Sequence, residues 1–339
     1  MRTHIQRAGT LLGLLVALPA AQAGSVTASS ADITVSGGIT GGYFRTTNIG
    51  VKDVDDYEVP DFLVELSTPS DGAVGVTAAF GHLGEPSIWE GGVPTPTPEN
   101  NVDLQYGYLT VPAGAGVTVD AGILATMIGY EVAPTYANAN VLLGSVWYEQ
   151  PVYYKGIRAT WAGNGLNVFA EANDDPAVGG KSAVVGVNGS AGPVNYAVSY
   201  DNGFKSYSAG SKDILDIIVS GTLGGIDTAL NLDYQKLDNQ VSSLDDSAYG
   251  LALYATFPVA PMTTIPVRVE YISDGTSGLY EGVDSGYTFT VTPTYHYTEN
   301  TFVRGELAYI SASNDVFTKD DGSVTGTNTS FNVQAGVTF

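Results

Sequence analysis

The 339-residue chain contains no cysteine. Disulfide scaffolds, thiol enzymes and cysteine-ligated zinc sites are thereby excluded. Cations are scarce: 13 Lys and Arg stand against 35 Asp and Glu, for a formal charge of -22. Gripping a phosphate backbone needs clustered Lys and Arg, so nucleic acid is not an expected partner. Past residue 23 the only histidines are His82 and His296, neither with a metal-ligand neighbour at useful spacing. No enzyme, metal or cofactor is expected. Beyond the start of the chain, no apolar run reaches the roughly 20 residues a membrane helix needs. What is present is 42 glycines, 21 tyrosines and 44% hydrophobic residues. That is too apolar for a disordered acidic chain, and its Gly and β-branched content suits strands better than helices.

Met1 to Ala23 reads as a secretory signal. Arg2 and Arg7 precede the short apolar run Leu11 to Leu18, and Ala21-Gln22-Ala23 is a small-x-small cleavage site. Residues 24–339 then form one domain. A membrane protein without spanning helices must satisfy its backbone as a closed barrel.

Period-2 alternation of apolar and polar residues is the strand signal, and it recurs sixteen times along 24–339. Phe62, Val64 and Leu66 alternate with Asp61 and Glu65. In the fourth segment Val102, Leu104, Tyr106 and Tyr108 alternate with Asp103 and Gln105. The last segment sets Phe331, Val333, Ala335, Val337 and Phe339 against Asn332, Gln334 and Thr338. Connections alternate between short turns rich in Gly, Pro, Asn and Asp and longer polar loops at 46–57, 83–101, 125–150, 202–211, 236–247, 273–284 and 311–327. A soluble β-sandwich would share the alternation. Two further features favour the membrane: the export signal, and aromatic residues gathered near strand ends on the apolar face. Tyr43, Phe80, Tyr249, Tyr271, Tyr287 and Tyr309 fall towards the long loops, and Tyr108, Trp161 and Phe339 towards the short turns. Such girdles sit at headgroup level. The expected fold is all-β: a transmembrane antiparallel β-barrel of sixteen strands, with short periplasmic turns and long extracellular loops.

In a barrel of this size the polar face lines the lumen. Parity assigns Asp61, Glu65, Asp103, Asp120, Glu171, Asp201, Asp216, Asp227, Asp233, Glu270 and Glu306 to it, against Arg158, Lys212, Arg268 and Arg304. An acid-lined pore favours cations. Pairing among these groups, or a place at the mouths, would leave them structural. The 125–150 connection carries Met127, Tyr130, Glu131, Tyr136, Asn138, Asn140, Trp147 and Glu149, and is too apolar to lie free in water. It can fold into the lumen as a constriction, or pack at a subunit interface or the outer rim. The acid pairs Asp174-Asp175, Asp245-Asp246 and Asp320-Asp321 are candidates for cation-bridged contact with lipopolysaccharide, or simply solvated loop acids.

Gly122 to Glu131 (GILATMIGYE), followed by Asn138 and Asn140 and then by Tyr153, Gly156, Ile157 and Arg158, resembles the OmpL-like β-barrel porin family. The Arg-x-Glu steps at 268–270 and 304–306 are compatible with it. The resemblance implies a sixteen-stranded porin of the Gram-negative outer membrane. There the third long loop folds inward to narrow the pore, and the counterpart of the proline-bearing 83–101 loop (Pro94, Pro96, Pro98) latches a homotrimer. The terminal Phe339 resembles the signal read by the barrel assembly machinery. The expected function is passive diffusion of small hydrophilic solutes through a cation-preferring channel in a lipid and lipopolysaccharide membrane. The alternatives are a plugged surface or adhesion barrel, and a solute-specific channel.

Overall fold

The computed structural model describes residues 25–28, 31–49, 54–70, 73–89, 102–174, 180–206, 210–237, 246–275, 277, 279–280 and 282–339. The export signal, Pro94, Pro96, Pro98, Asp175 and Asp245 lie outside the described residues.

Sixteen antiparallel strands close on themselves. They are β1 (Ala31–Thr46), β2 (Val54–Ser67), β3 (Gly75–Leu83), β4 (Asp103–Gly114), β5 (Val117–Ala125), β6 (Tyr153–Gly163), β7 (Leu166–Asp174) and β8 (Lys181–Ala191). The second half runs β9 (Val194–Ser206), β10 (Gly210–Leu223), β11 (Ile226–Leu237), β12 (Ser247–Ala260), β13 (Thr263–Ser273), β14 (Ser285–Val291, resuming at Thr294–His296), β15 (Thr301–Ala312) and β16 (Thr327–Thr338). A further four-residue strand, Ser25–Ala28, folds back on the start of β1. Each strand pairs with its sequence neighbour, and β1 pairs with β16 to close the ring. At the seam Phe339 and Gly37 exchange backbone hydrogen bonds of 3.0 Å in both directions. Closure leaves no free edge, the condition for a sheet to sit in lipid.

The turns at one end are tight because their residues accept left-handed backbone. Ala115-Gly116, Asn164-Gly165 and Gly224-Gly225 all have positive φ at both positions, the geometry that matches the twist of hairpin strands. At the other end the loops are longer, with one departure from expectation. The 202–211 segment is mostly strand, since β9 runs to Ser206 and β10 starts at Gly210.

The apolar face points outward. Ile157, Val168, Val185, Leu253, Val269, Phe289, Leu307 and Phe331 are large, hydrophobic and exposed, whereas Asp61, Asp216, Asp233, Arg268 and Glu306 are buried. This inversion of a soluble protein is what a lipid solvent requires. Tyr249, Tyr271 and Tyr287 pack in a row across β12–β14, with centroids 6.1 and 4.8 Å apart, and Tyr309 follows on β15. Tyr43, Phe80, Trp161 and Phe339 also lie on the outer side; Tyr43 donates to Asp55 at 2.9 Å.

Tyr108 does not join them. Between β3 and β4 the pairing passes from Ala79↔Tyr106 to Phe80↔Leu104, so Gln105 is an extra residue. A one-residue bulge exchanges the faces of everything beyond it. Leu104 faces lipid, but Tyr106, Tyr108 and Thr110 face inward, and Leu109 and Val111 take the outer positions.

Candidate functional site: the lumen and its inward loop

The connection between β5 and β6 crosses the barrel. Its folding follows from the inner wall, which is not uniformly polar. Phe169, Val184 and Ile214, on β7, β8 and β10, form an inward apolar patch with Ile128 and Met127 of the loop. On the far side Ala248, Ala252, Tyr254, Ile272 and Ala308 pack against Val141, Leu142 and Val146. Three other loops join this inner core: Ile88 and Trp89 after β3, Leu279, Tyr280 and Val283 after β13, and Phe317 after β15. Residues 84–89 thus turn into the barrel, where Ile88 N–H donates to Leu143 O at 3.0 Å and Trp89 stacks on Phe317.

The charged residues of the wall hold the loop's backbone. Glu306 accepts from the N–H groups of Val141 (2.5 Å) and Leu142 (3.0 Å), and Glu270 accepts from Val146 N–H at 3.0 Å. Asp216 accepts from Gly129 N–H at 3.2 Å. Asp61 accepts from Thr40, and from both the N–H and the hydroxyl of Thr135. The cations take the carbonyls. Arg304 donates to Asn138 O (2.8 Å) and Thr135 O (2.9 Å), Arg268 to Leu142 O (2.7 Å), Lys212 to Glu149 O (2.7 Å), and Arg158 to Ala125 O (2.5 Å). Apart from short helical turns at Thr135–Ala137 and Ser145–Tyr148, the loop has no regular structure to pair its peptide groups, and a buried unpaired peptide group is costly. Acids for the N–H groups and bases for the carbonyls meet that need.

Side chains complete the lock. Arg268 sits between Glu131 (2.5 Å) and Glu270 (3.1 Å), and is fully buried. Burial lifts the Glu131 carboxyl above its usual range, with Arg268 pulling the other way. Glu149 pairs with Lys212 at 3.0 Å. Asn140 donates to Thr292 at 2.7 Å, Tyr130 packs on Tyr254 with centroids 4.5 Å apart, and Tyr136 lies against the backbone of Gly38. Asn138 braces the loop internally by bonding both backbone atoms of Val132. Trp147 is buried with Ala133 and Leu143. Gly144 passes so near Glu270 that a Cβ there would lie 2.4 Å from its Oε1.

Several parity-assigned residues also bond to one another or to other residues of the wall. Asp216 and Asp233 face each other across β10–β11, bridged by Asn231, while Gln150 donates to Asp233 at 2.7 Å. Arg158 pairs with Glu171 at 2.5 Å. Asp201 accepts from Tyr154 at 3.0 Å. Glu65 accepts from Tyr106 (2.5 Å), Asp120 from Thr110 (2.6 Å) and Asp227 from Thr222 (2.7 Å), and all three acids keep some exposure. Asp103 is exposed at the start of β4. Sequence reasoning missed the inward apolar wall. Its signal lay in β10, where Ile214 to Val219 is apolar on both faces except at Asp216, as in a strand packed on two sides.

Among the described residues no group of three or more His, Asp or Glu could hold a metal ion. Of the outer-loop acid pairs, Asp174 is bound by Lys181, and Asp321 accepts from Ser323.

A closed, lipid-facing sixteen-stranded barrel with a loop folded into its lumen defines the porin class of outer-membrane protein. The profile of the beta-barrel porin-2, OmpL-like family matches residues 32–339, and the chain belongs to that family. Its place is the outer membrane. Solved porins share the fold at low identity. OmpT, an outer membrane protein of Vibrio cholerae, has a TM-score of 0.65 at 11% identity, with 94% of this chain and 100% of that one covered. The anion-selective porin from Comamonas acidovorans has a TM-score of 0.64 at 12%, covering 91% and 99%. OmpF of Salmonella typhi has a TM-score of 0.67 at 10%, covering 93% and 100%. No curated protein matches.

Proposed function

We propose that the protein is a passive channel for small hydrophilic solutes with a preference for cations, its bore set by the 125–150 loop. One observation carries the preference. The four cations of the inner wall, Arg158, Lys212, Arg268 and Arg304, are all buried and bonded to acids or loop carbonyls, while Glu65, Asp103, Asp120 and Asp227 keep exposure. The field left in open water is negative, and a confined negative field concentrates cations. Assembly as a homotrimer, insertion through the assembly machinery by way of Phe339, and contact with lipopolysaccharide belong to this reading. A trimer form is among the OmpT structures that share the fold.

A second reading is a barrel that is closed at rest. It is favoured by the continuous packing of four loops against the inner wall. Bilayer recording in a salt gradient separates the two. The channel reading expects steady conductance, a reversal potential of cationic sign, and larger single-channel current after deletion of 132–146. Silence in the parent with current only in the deletion variant supports the closed barrel. An anionic reversal potential refutes the cation preference.

A further inference from the structure

Beside the loop the lumen retains a partly enclosed cavity of about 140 Å³. It lies between loop residues 126–137 and the inner faces of β2, β4, β6 and β8–β10. Its walls are mainly aromatic and apolar: Tyr106, Tyr136, Tyr153, Trp147, Leu63 and Ile128. Tyr106 and Tyr153 are stacked, with centroids 5.7 Å apart and planes at 24°, so their rings form one continuous surface. This surface exists because of the β4 bulge. Without it Tyr106 would face lipid.

No cation enters the cavity's lining, whose only charged residue is Glu131, and Arg268, which pairs with Glu131 at 2.5 Å, stands outside it. Glu65 lies behind the aromatic wall, accepting from the Tyr106 hydroxyl at 2.5 Å. A hydroxyl donating to a carboxylate enriches its ring in electron density. Ring faces backed by carboxylates attract cations and repel anions. A cavity of roughly 150 Å³ holds one benzene-sized ring.

We propose that this cavity is a binding subsite for a single-ring organic cation, an ammonium carrying an apolar ring. The inference rests on the channel reading only in placing the subsite on a permeation path. Stacking and charge would slow such a solute relative to potassium, and a single-ring carboxylate would be turned away.

Isothermal titration of the detergent-folded protein with benzylammonium tests the subsite independently of conductance. Saturable binding is expected, with none for benzoate. Tyr153→Leu keeps the apolar bulk and removes the ring face, and should weaken binding about three- to thirtyfold, the span of a cation–π contact. Tyr106→Phe should bind within about twofold of Glu65→Gln, because each removes the same backing interaction. Equal binding of benzoate, undiminished binding by folded Tyr153→Leu, or no saturable benzylammonium binding in the parent overturns the proposal. If Tyr153→Leu does not fold, the benzoate comparison and Glu65→Gln decide it, and binding unchanged by Glu65→Gln then counts against it. In bilayers benzylammonium should interrupt the potassium current. Potassium current with neither binding nor interruption removes the subsite and leaves the channel. Binding without any potassium current removes the channel and leaves the subsite.

Discussion

Replacing Glu306 by alanine should release the middle of the inward loop while leaving the barrel intact. Glu306 is buried and accepts from the N–H groups of Val141 and Leu142 at 2.5 and 3.0 Å. Neither N–H gains another acceptor when the carboxylate is removed. A buried donor left without its partner costs about 1–3 kcal/mol, so two such donors cost about 2–6 kcal/mol of docking free energy. The lower figure shifts the docking equilibrium about thirtyfold. Hydrogen exchange read residue by residue is the direct assay. Amides 141 and 142 should exchange at least about thirtyfold faster than in the parent. Strand amides such as Val269 and Leu232 should be unaffected, because their ladder bonds do not involve Glu306. Glu306→Gln should give a smaller effect, since the amide keeps one carbonyl acceptor but turns an NH₂ towards the second donor. Unchanged protection at 141 and 142 in a folded Glu306→Ala barrel would refute the view that wall carboxylates hold the loop.

The absence of cysteine makes the β4 bulge easy to test. Tyr108→Cys should react with a water-soluble maleimide, whereas Leu109→Cys should be reached only by a lipid-phase reagent; the opposite pattern would mean no phase change in β4. Gly144→Ala should loosen the loop as well, because its Cβ would meet Glu270 Oε1 at 2.4 Å. Its single-channel current should rise towards that of the 132–146 deletion, and an unchanged current would place the loop's grip elsewhere.

Much of the barrel is legible in the sequence because alternation and turn chemistry are local. The Asn164-Gly165 and Gly224-Gly225 turns announce themselves, and strands such as Val267 to Tyr271 keep a single phase throughout. The β4 bulge was not legible. Tyr106 and Tyr108 suit a lipid girdle as well as an aromatic lumen wall, and only the pairing with Ala79 and Thr77 decides between them. The charged inner-wall residues could be assigned to a face by parity, but not to a partner. Glu306 and Val141 are 165 residues apart, and nothing local links them. Met127, Trp147 and their neighbours marked the loop as too apolar for water. The wall that Met127 and Ile128 pack on, Phe169, Val184 and Ile214, is hidden by a stronger apolar pattern on the opposite face of the same strands.

The loop's anchors also impose an order of assembly. Gly129 relies on Asp216, Val146 on Glu270, and Val141 on Glu306, and these acids are supplied by β10, β13 and β15. The loop is made before any of those strands exists, and contacts so distant along the chain form late. The loop therefore cannot be held in place until β10, β13 and β15 have joined the wall. Narrowing of the passage is tied to construction of the opposite wall, so a barrel lacking those strands would also lack its constriction.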